Sequence, residues 1–223
     1  MKIVYPEMQL EIELIENQVQ VISIENSENF TNILNELWNQ TCGNDGQFIL
    51  SDMEKELNFN KDVELIINPF CLDPNNKKIL TSVYHQLDEI INEDLQEETT
   101  SIRASLVSFL DILIQRIPYP LDYDENTNIG GLYKMFGIKI DTCATTLAES
   151  IIDYLKAMSE ICGISVFIFV NLKDYLSIEN LKYVYEFAFN EKIHLINIEA
   201  KHIPSIECEK SWIIDNDRCI IEP

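Results

Sequence analysis

Leu10, Ile12 and Leu14 alternate with Glu11 and Glu13, the pattern breaks at Glu16-Asn17, and apolar residues resume at Val19 and Val21. Ile22 and Ile24 then add apolar positions on the opposite face. A period of two marks a strand, and apolar residues on both faces mark a strand covered on both sides. The two runs together predict a β-hairpin. Next, Phe30, Ile33, Leu34, Leu37 and Trp38 recur at helical spacing until "TCGNDG" supplies turn residues. "QFILSD" and "VELIINPF" are short apolar runs with polar flanks and predict two more strands.

The pattern changes in the middle. Ile79, Leu80, Val83, Leu87, Ile90 and Ile91 form one helical stripe; Ile102, Leu106, Phe109, Leu110, Leu113 and Ile117 form a second, stopped by Pro118. Leu147, Ile151, Tyr154, Leu155, Met158 and Ile161 form a third, preceded by a capping box at Thr146 and Glu149. A short helix is predicted around residues 132–136. The end of the chain returns to strands: "SVFIFVN" is a continuous apolar run, "SIENLKYVYEFAFN" a helix capped by Ser177, and "IHLINIEA" and "SWIID" two further strands. Strand, helix and strand in that order predict a parallel βαβ unit. The fold class is therefore α/β: residues 1–74 and 163–223 form one split α/β domain, and residues 75–162 a helical subdomain inserted into it.

Composition narrows the function. With 223 residues the chain can bury one sizeable core, or a core with one inserted subdomain. No early segment reads as a signal peptide and no apolar run is long enough to cross a bilayer, so a soluble cytoplasmic protein is expected, without membrane partners. Six scattered cysteines without a C-x-x-C, and only three histidines, predict reduced thiols rather than a zinc site. A formal charge of −22 opposes contact with nucleic acid unless the bases gather on one face or bound cations offset the carboxylates.

Few segments carry a chemical signature. The connection "VISIENSENFTNIL" leads from strand to helix where a phosphate loop would lie, yet it supplies Glu25 and Glu28 and neither glycine nor lysine. Nucleotide binding there is not expected. Serines and cysteines lie in no nucleophile elbow, and His85 and His194 read as structural or exposed. "PLDYDENTNIGG" stands out because Asp122, Asp124, Asn126 and Asn128 alternate as the oxygen ligands of a calcium loop do. The EF-hand pattern itself fails, with Thr127 where glycine belongs and Tyr133 where the bidentate glutamate belongs. Spacing alone leaves a hard cation and a merely solvated loop both open. Lys134 and Lys139 flank the glycine of "YKMFGIKID", Lys55 and Lys61 lie in "MEKELNFNKDVE", and Arg103 sits on the second helix. Each is a surface charge unless they converge in space.

Three stretches in order carry a family resemblance: "VELIINPFCLDPNNKKILTSVYHQLDEIINE", "LDYDENTNIGGLYKMFGIKID" and "VFIFVNLKDYLSIENLKYVYEFAFNEKIHLINIE". Together they resemble the Csn-two family of type II-A CRISPR-associated adaptation proteins, in its shorter form. The resemblance implies a split α/β head, similar to nucleotide-hydrolase folds but lacking their phosphate loop, and a helical leg. It implies a homotetrameric ring that binds double-stranded DNA through free ends, depends on calcium, and supports spacer acquisition beside the CRISPR integrase proteins and the effector nuclease. No enzymatic activity is implied. On this basis Asp122, Asp124 and Glu125 become the calcium candidates, Lys134 and Lys139 the DNA candidates, with Lys55, Lys61 and Arg103 added. Gly130-Gly131 stands where relatives can offer another glutamate. Two alternatives stay open: a metal-dependent nuclease using the same carboxylates, and an interaction scaffold that binds no DNA.

Overall fold

The first alternating run does not pair with the second. In the computed structural model, which describes every residue except Glu54, residues 125–128 and Pro223, β1 (Lys2–Tyr5) and β2 (Leu10–Glu13) form an antiparallel pair with Ile3 opposite Ile12. β3 (Val19–Ile24) belongs to another sheet, so the expected hairpin is absent. The reason lies in the two patterns. All six residues of β3 are buried, whereas β2 exposes Glu11 and Glu13, and beside β3 it would have to bury them.

β3 leads into α1 (Ser27–Thr41), followed by β4 (Ile49–Asp52), β5 (Lys55–Leu57), α2 (Phe59–Asp62) and β6 (Val63–Ile66). The helical segments are α3 (Lys77–Asp94), α4 (Gln96–Ile114), α5 (Gly131–Met135) and α6 (Leu147–Cys162). The chain closes with β7 (Val166–Val170), α7 (Ile178–Asn190), β8 (His194–Glu199), β9 (Glu209–Ile214) and β10 (Ile220–Ile221).

One sheet is antiparallel, in the order β2-β1-β4-β5; the other runs β10-β9-β3-β8-β7-β6 and is parallel except at β10. The expected βαβ unit is β7-α7-β8. One face of the parallel sheet packs Ile22, Ile24, Ile168, Ile196, Ile198 and Ile214 against Ile3, Tyr5, Leu10, Ile12 and Leu50 of the antiparallel sheet. Tyr5 and Phe48 stack there, with ring centroids 4.2 Å apart. The Gln40 side chain ties the end of α1 to this core, donating to the Phe48 carbonyl and accepting its N–H, both at 2.9 Å.

The opposite face carries Val19, Val21, Phe167, Phe169, Leu195 and Asn197, and α6 and α7 bury their apolar sides on the same unit. Tyr154 of α6 donates to Glu64 of β6 at 2.8 Å, and Asn197 of β8 donates to Tyr185 of α7 at 2.7 Å. Ile151, Leu155 and Met158 are fully buried, each contributing about 1.5–3 kcal/mol of burial. The capping box that starts α6 is formed, with Thr146 and Glu149 exchanging hydrogen bonds. Those bonds, led by the Thr145 N–H, hold the Glu149 carboxyl below the ordinary carboxylate range.

Two compact units result: Met1–Pro74 with Thr142–Pro223, and Asn75–Asp141. The helical subdomain expected to run to residue 162 thus ends at 141. α6 belongs to the α/β unit because its apolar side is buried with α7 and its Tyr154 bonds to β6. Among the described residues, no helix is long and apolar enough to cross a membrane.

Candidate functional site

The helical unit is tied together by side chains that bond across long stretches of sequence. Asn75 donates to the Ile140 carbonyl at 3.1 Å and accepts the Ile140 N–H at 2.7 Å. Tyr84 of α3 donates to the Ile138 carbonyl at 3.0 Å, and Tyr133 of α5 donates to Asp88 of α3 at 3.1 Å. Burial and this carboxylate both push the Tyr133 phenol up, so it stays a donor. These bonds fix α5, with Lys134 in its last turn, and the following segment with Lys139. Both lysines are exposed.

Tyr123 performs the same service for the acidic segment. Its hydroxyl donates to Asp111 of α4 at 2.8 Å, with the Val107 carbonyl 3.4 Å away, which turns the neighbouring Asp122 and Asp124 outward as exposed carboxylates. Asp122 also accepts the Tyr123 N–H at 2.9 Å. Sequence reading singled out the acids and missed their anchor, although the acid-tyrosine-acid alternation in "DYD" was the signal. Arg103, Leu106, Phe109 and Leu110 of α4 line one groove with Tyr123, Asp124 and Leu132. One cationic candidate and one acidic candidate therefore share a groove.

The donor chemistry here, carboxylate oxygen, suits a hard cation such as calcium. The described residues supply only part of a shell. Asp122 and Asp124 are present, Glu125 lies outside the described residues, and calcium takes about six to eight oxygens. Among the described residues, no group of three or more His, Cys, Asp or Glu gathers to hold a metal ion.

Lys55 and Lys61 lie elsewhere, exposed on β5 and in the last turn of α2 within the α/β unit. At the start of α1, where a phosphate would bind, Asn26 accepts the N–H groups of Glu28 and Asn29 at 2.9 and 3.1 Å. The protein's own cap thus occupies two of the donors that a phosphate would use. His85 is exposed beside Glu89; His194 is half-buried, and burial pushes its imidazole down.

Residues 40–218 match the family model described as CRISPR-associated protein (Cas_Csn2). The crystal structure of Stu0660 of Streptococcus thermophilus is similar over 100% of this chain and 76% of that chain, with a TM-score of 0.58 and 11% sequence identity. At that identity the likeness is one of fold.

Proposed function

The chain belongs to the CRISPR-associated protein (Cas_Csn2) family, and from that premise we propose that it serves spacer acquisition as a cytoplasmic homotetrameric ring. The ring binds ends of double-stranded DNA without reading sequence, depends on calcium, and catalyses no reaction. The observation that carries this reading is α4. It has no buried residue, and Ile102, Leu106, Phe109, Leu110, Ile112 and Leu113 are all exposed. A 19-residue helix so apolar on its outside suits burial against further copies of the chain.

The same unit carries Arg103, Lys134 and Lys139, which suit phosphate contacts. It also holds eleven carboxylates against six cationic side chains, so phosphate would meet net repulsion. A divalent cation at Asp122 and Asp124, joined by Glu125, would offset part of that charge beside Arg103. A closed ring adds topology to a weak attraction, because threaded DNA leaves only by sliding off an end. Lys55 and Lys61 are the candidate phosphate contacts of the α/β unit, and the CRISPR integrase proteins and effector nuclease are the partners that would receive the DNA.

Gel-shift binding of linear and covalently closed circular duplexes of one sequence, with calcium and with a chelator, tests the proposal. Calcium-dependent binding of the linear form alone is expected, weakening steeply with salt. Equal binding of both forms would replace the ring with an open surface, and no binding in any arm would leave a scaffold without DNA.

A further inference from the structure

A second polar cluster lies far from the acidic segment in sequence, enclosed in the α/β unit at the carboxyl ends of the parallel strands. Ser23 of β3 and Glu199 of β8 are in register, and Val21 is in register with Asn197, so all these side chains point to the face that carries α7. Ser23 is 1% exposed and Asn197 and Glu199 are 0% exposed. Among the described residues, Ser23 Oγ, Asn197 Oδ1 and Glu199 Oε2 each find no hydrogen-bond partner. Glu199 Oε1 accepts the Lys173 N–H at 3.1 Å, in the turn that follows β7.

Two counts constrain the state of Glu199. The first is of donors. With Glu199 ionised, its Oε2 and Asn197 Oδ1 are two acceptors served by one donor, the Ser23 hydroxyl. One added proton on Glu199 balances the set at two donors and two acceptors, with an enclosed water as the relay because no two of these oxygens bond directly. Asn197 already donates to Tyr185 at 2.7 Å, and Tyr185 to Glu209 at 2.8 Å.

The second count is of charge. The cations nearby are taken: Lys173 pairs with Glu209 at 2.8 Å and Lys201 pairs with Asp174 at 2.7 Å. α7 presents the neutral Tyr185, and β3 presents no charge on this face before the exposed Glu25. An ionised Glu199 would thus be an unmatched buried charge facing Asp174 and Glu209. Burial, then the Asp174 and Glu209 carboxylates, push its carboxyl up to about 7 against the pull of the Lys173 N–H and ammonium.

We infer that Glu199 is a proton-binding site: it is held as a neutral carboxylic acid, and loss of that proton lowers the stability of the α/β unit. The turn after β7 is tied to β8 beside Glu199, and its Lys173 and Asp174 side chains are both held in ion pairs. Asn171, in the left-handed region at φ 52°, donates its N–H to the Ile198 carbonyl and accepts the Ala200 N–H, both at 2.8 Å, and the next tie is Lys173 to Glu199. The folded-state titration lies above the unfolded one, so the stabilisation is full below the unfolded carboxylate range and is lost as pH rises through about 7.

Carbon-13 NMR titration of the glutamate carboxyls in the full chain, with Glu199 assigned through Glu199→Gln, tests this directly. One carboxyl absent from the variant should titrate near neutrality. The folding equilibrium constant from urea unfolding should fall by more than about tenfold between pH 5 and pH 7, because the unfolded carboxyl ionises there while the folded one holds its proton. Glu199→Gln, which keeps a neutral donor, should show no such fall. A Glu199 carboxyl that ionises in the ordinary carboxylate range overturns the inference, and so does the same pH profile of stability in both proteins. Ser23→Ala should lower the titration point of Glu199, and an unchanged value overturns the relayed link to Ser23.

Discussion

Glu209→Ala is the substitution whose cost can be worked most directly from the structure. The Glu209 side chain is fully enclosed and accepts from Lys173 Nζ, Tyr185 Oη and the Ile206 N–H, each at 2.8 Å. Alanine leaves Lys173, itself 3% exposed, with the Pro204 carbonyl at 3.0 Å as its described contact. Breaking a buried ion pair from one side costs about 3–5 kcal/mol, because the remaining charge stays buried. The orphaned Ile206 N–H adds about 1–3 kcal/mol. Burial and the Glu209 carboxylate push the Tyr185 phenol up, so it remains a donor in need of an acceptor. Groups in one network are not additive, so the expected loss is about 4–6 kcal/mol, most of the stability of a typical domain. Urea unfolding at neutral pH measures it, with the slope checked for a changed denatured state. Lys173→Met combined with Glu209→Ala removes both charges and should cost less than Glu209→Ala alone. A loss below about 1 kcal/mol for Glu209→Ala, or a double variant worse than the single one, would refute the reasoning.

Phe109→Asp, at a residue 58% exposed, should leave the single chain's stability within about 0.5 kcal/mol while lowering its assembly state in sedimentation velocity. Unchanged sedimentation removes α4 from the assembly surface. Under the proposed function, Asp122→Ala and Asp124→Ala should each weaken calcium binding by tenfold or more in titration calorimetry and open the proposed ring; unchanged affinity would defeat their assignment as ligands.

Where burial alone decides, the sequence was readable. "VFIFV" became β7 with every residue buried, and Thr146 and Glu149 formed their box because both partners lie within one turn. Pairing was harder. Leu10 and Ile12 announce a strand, yet their neighbour Lys2–Tyr5 was not read as a strand, and the next apolar run in sequence belongs to the other sheet. A stripe likewise shows that a face is apolar without saying what covers it. Trp38 was counted in the apolar stripe of α1 and is 51% exposed, and the α4 stripe is exposed throughout. Asp122 and Asp124 could be singled out because they lie two residues apart, and the Tyr123 anchor that orients them was missed. Lys173, Glu199 and Glu209 escaped notice because 26 and 36 residues separate their bonded pairs, and a charge read alone defaults to the surface.

The Asn75–Ile140 clasp has a consequence for how such a chain can change over time. Its two hydrogen bonds close the helical unit at its first and penultimate residues, so the insertion begins and ends at one place. Lengthening a closed loop costs only about 0.6 kcal/mol per doubling. Helical turns can therefore be gained or lost beyond the clasp while the strand order before and after it stays the same. The insertion is the part of the molecule free to diverge in size, and Asn75 is the residue that gives it that freedom.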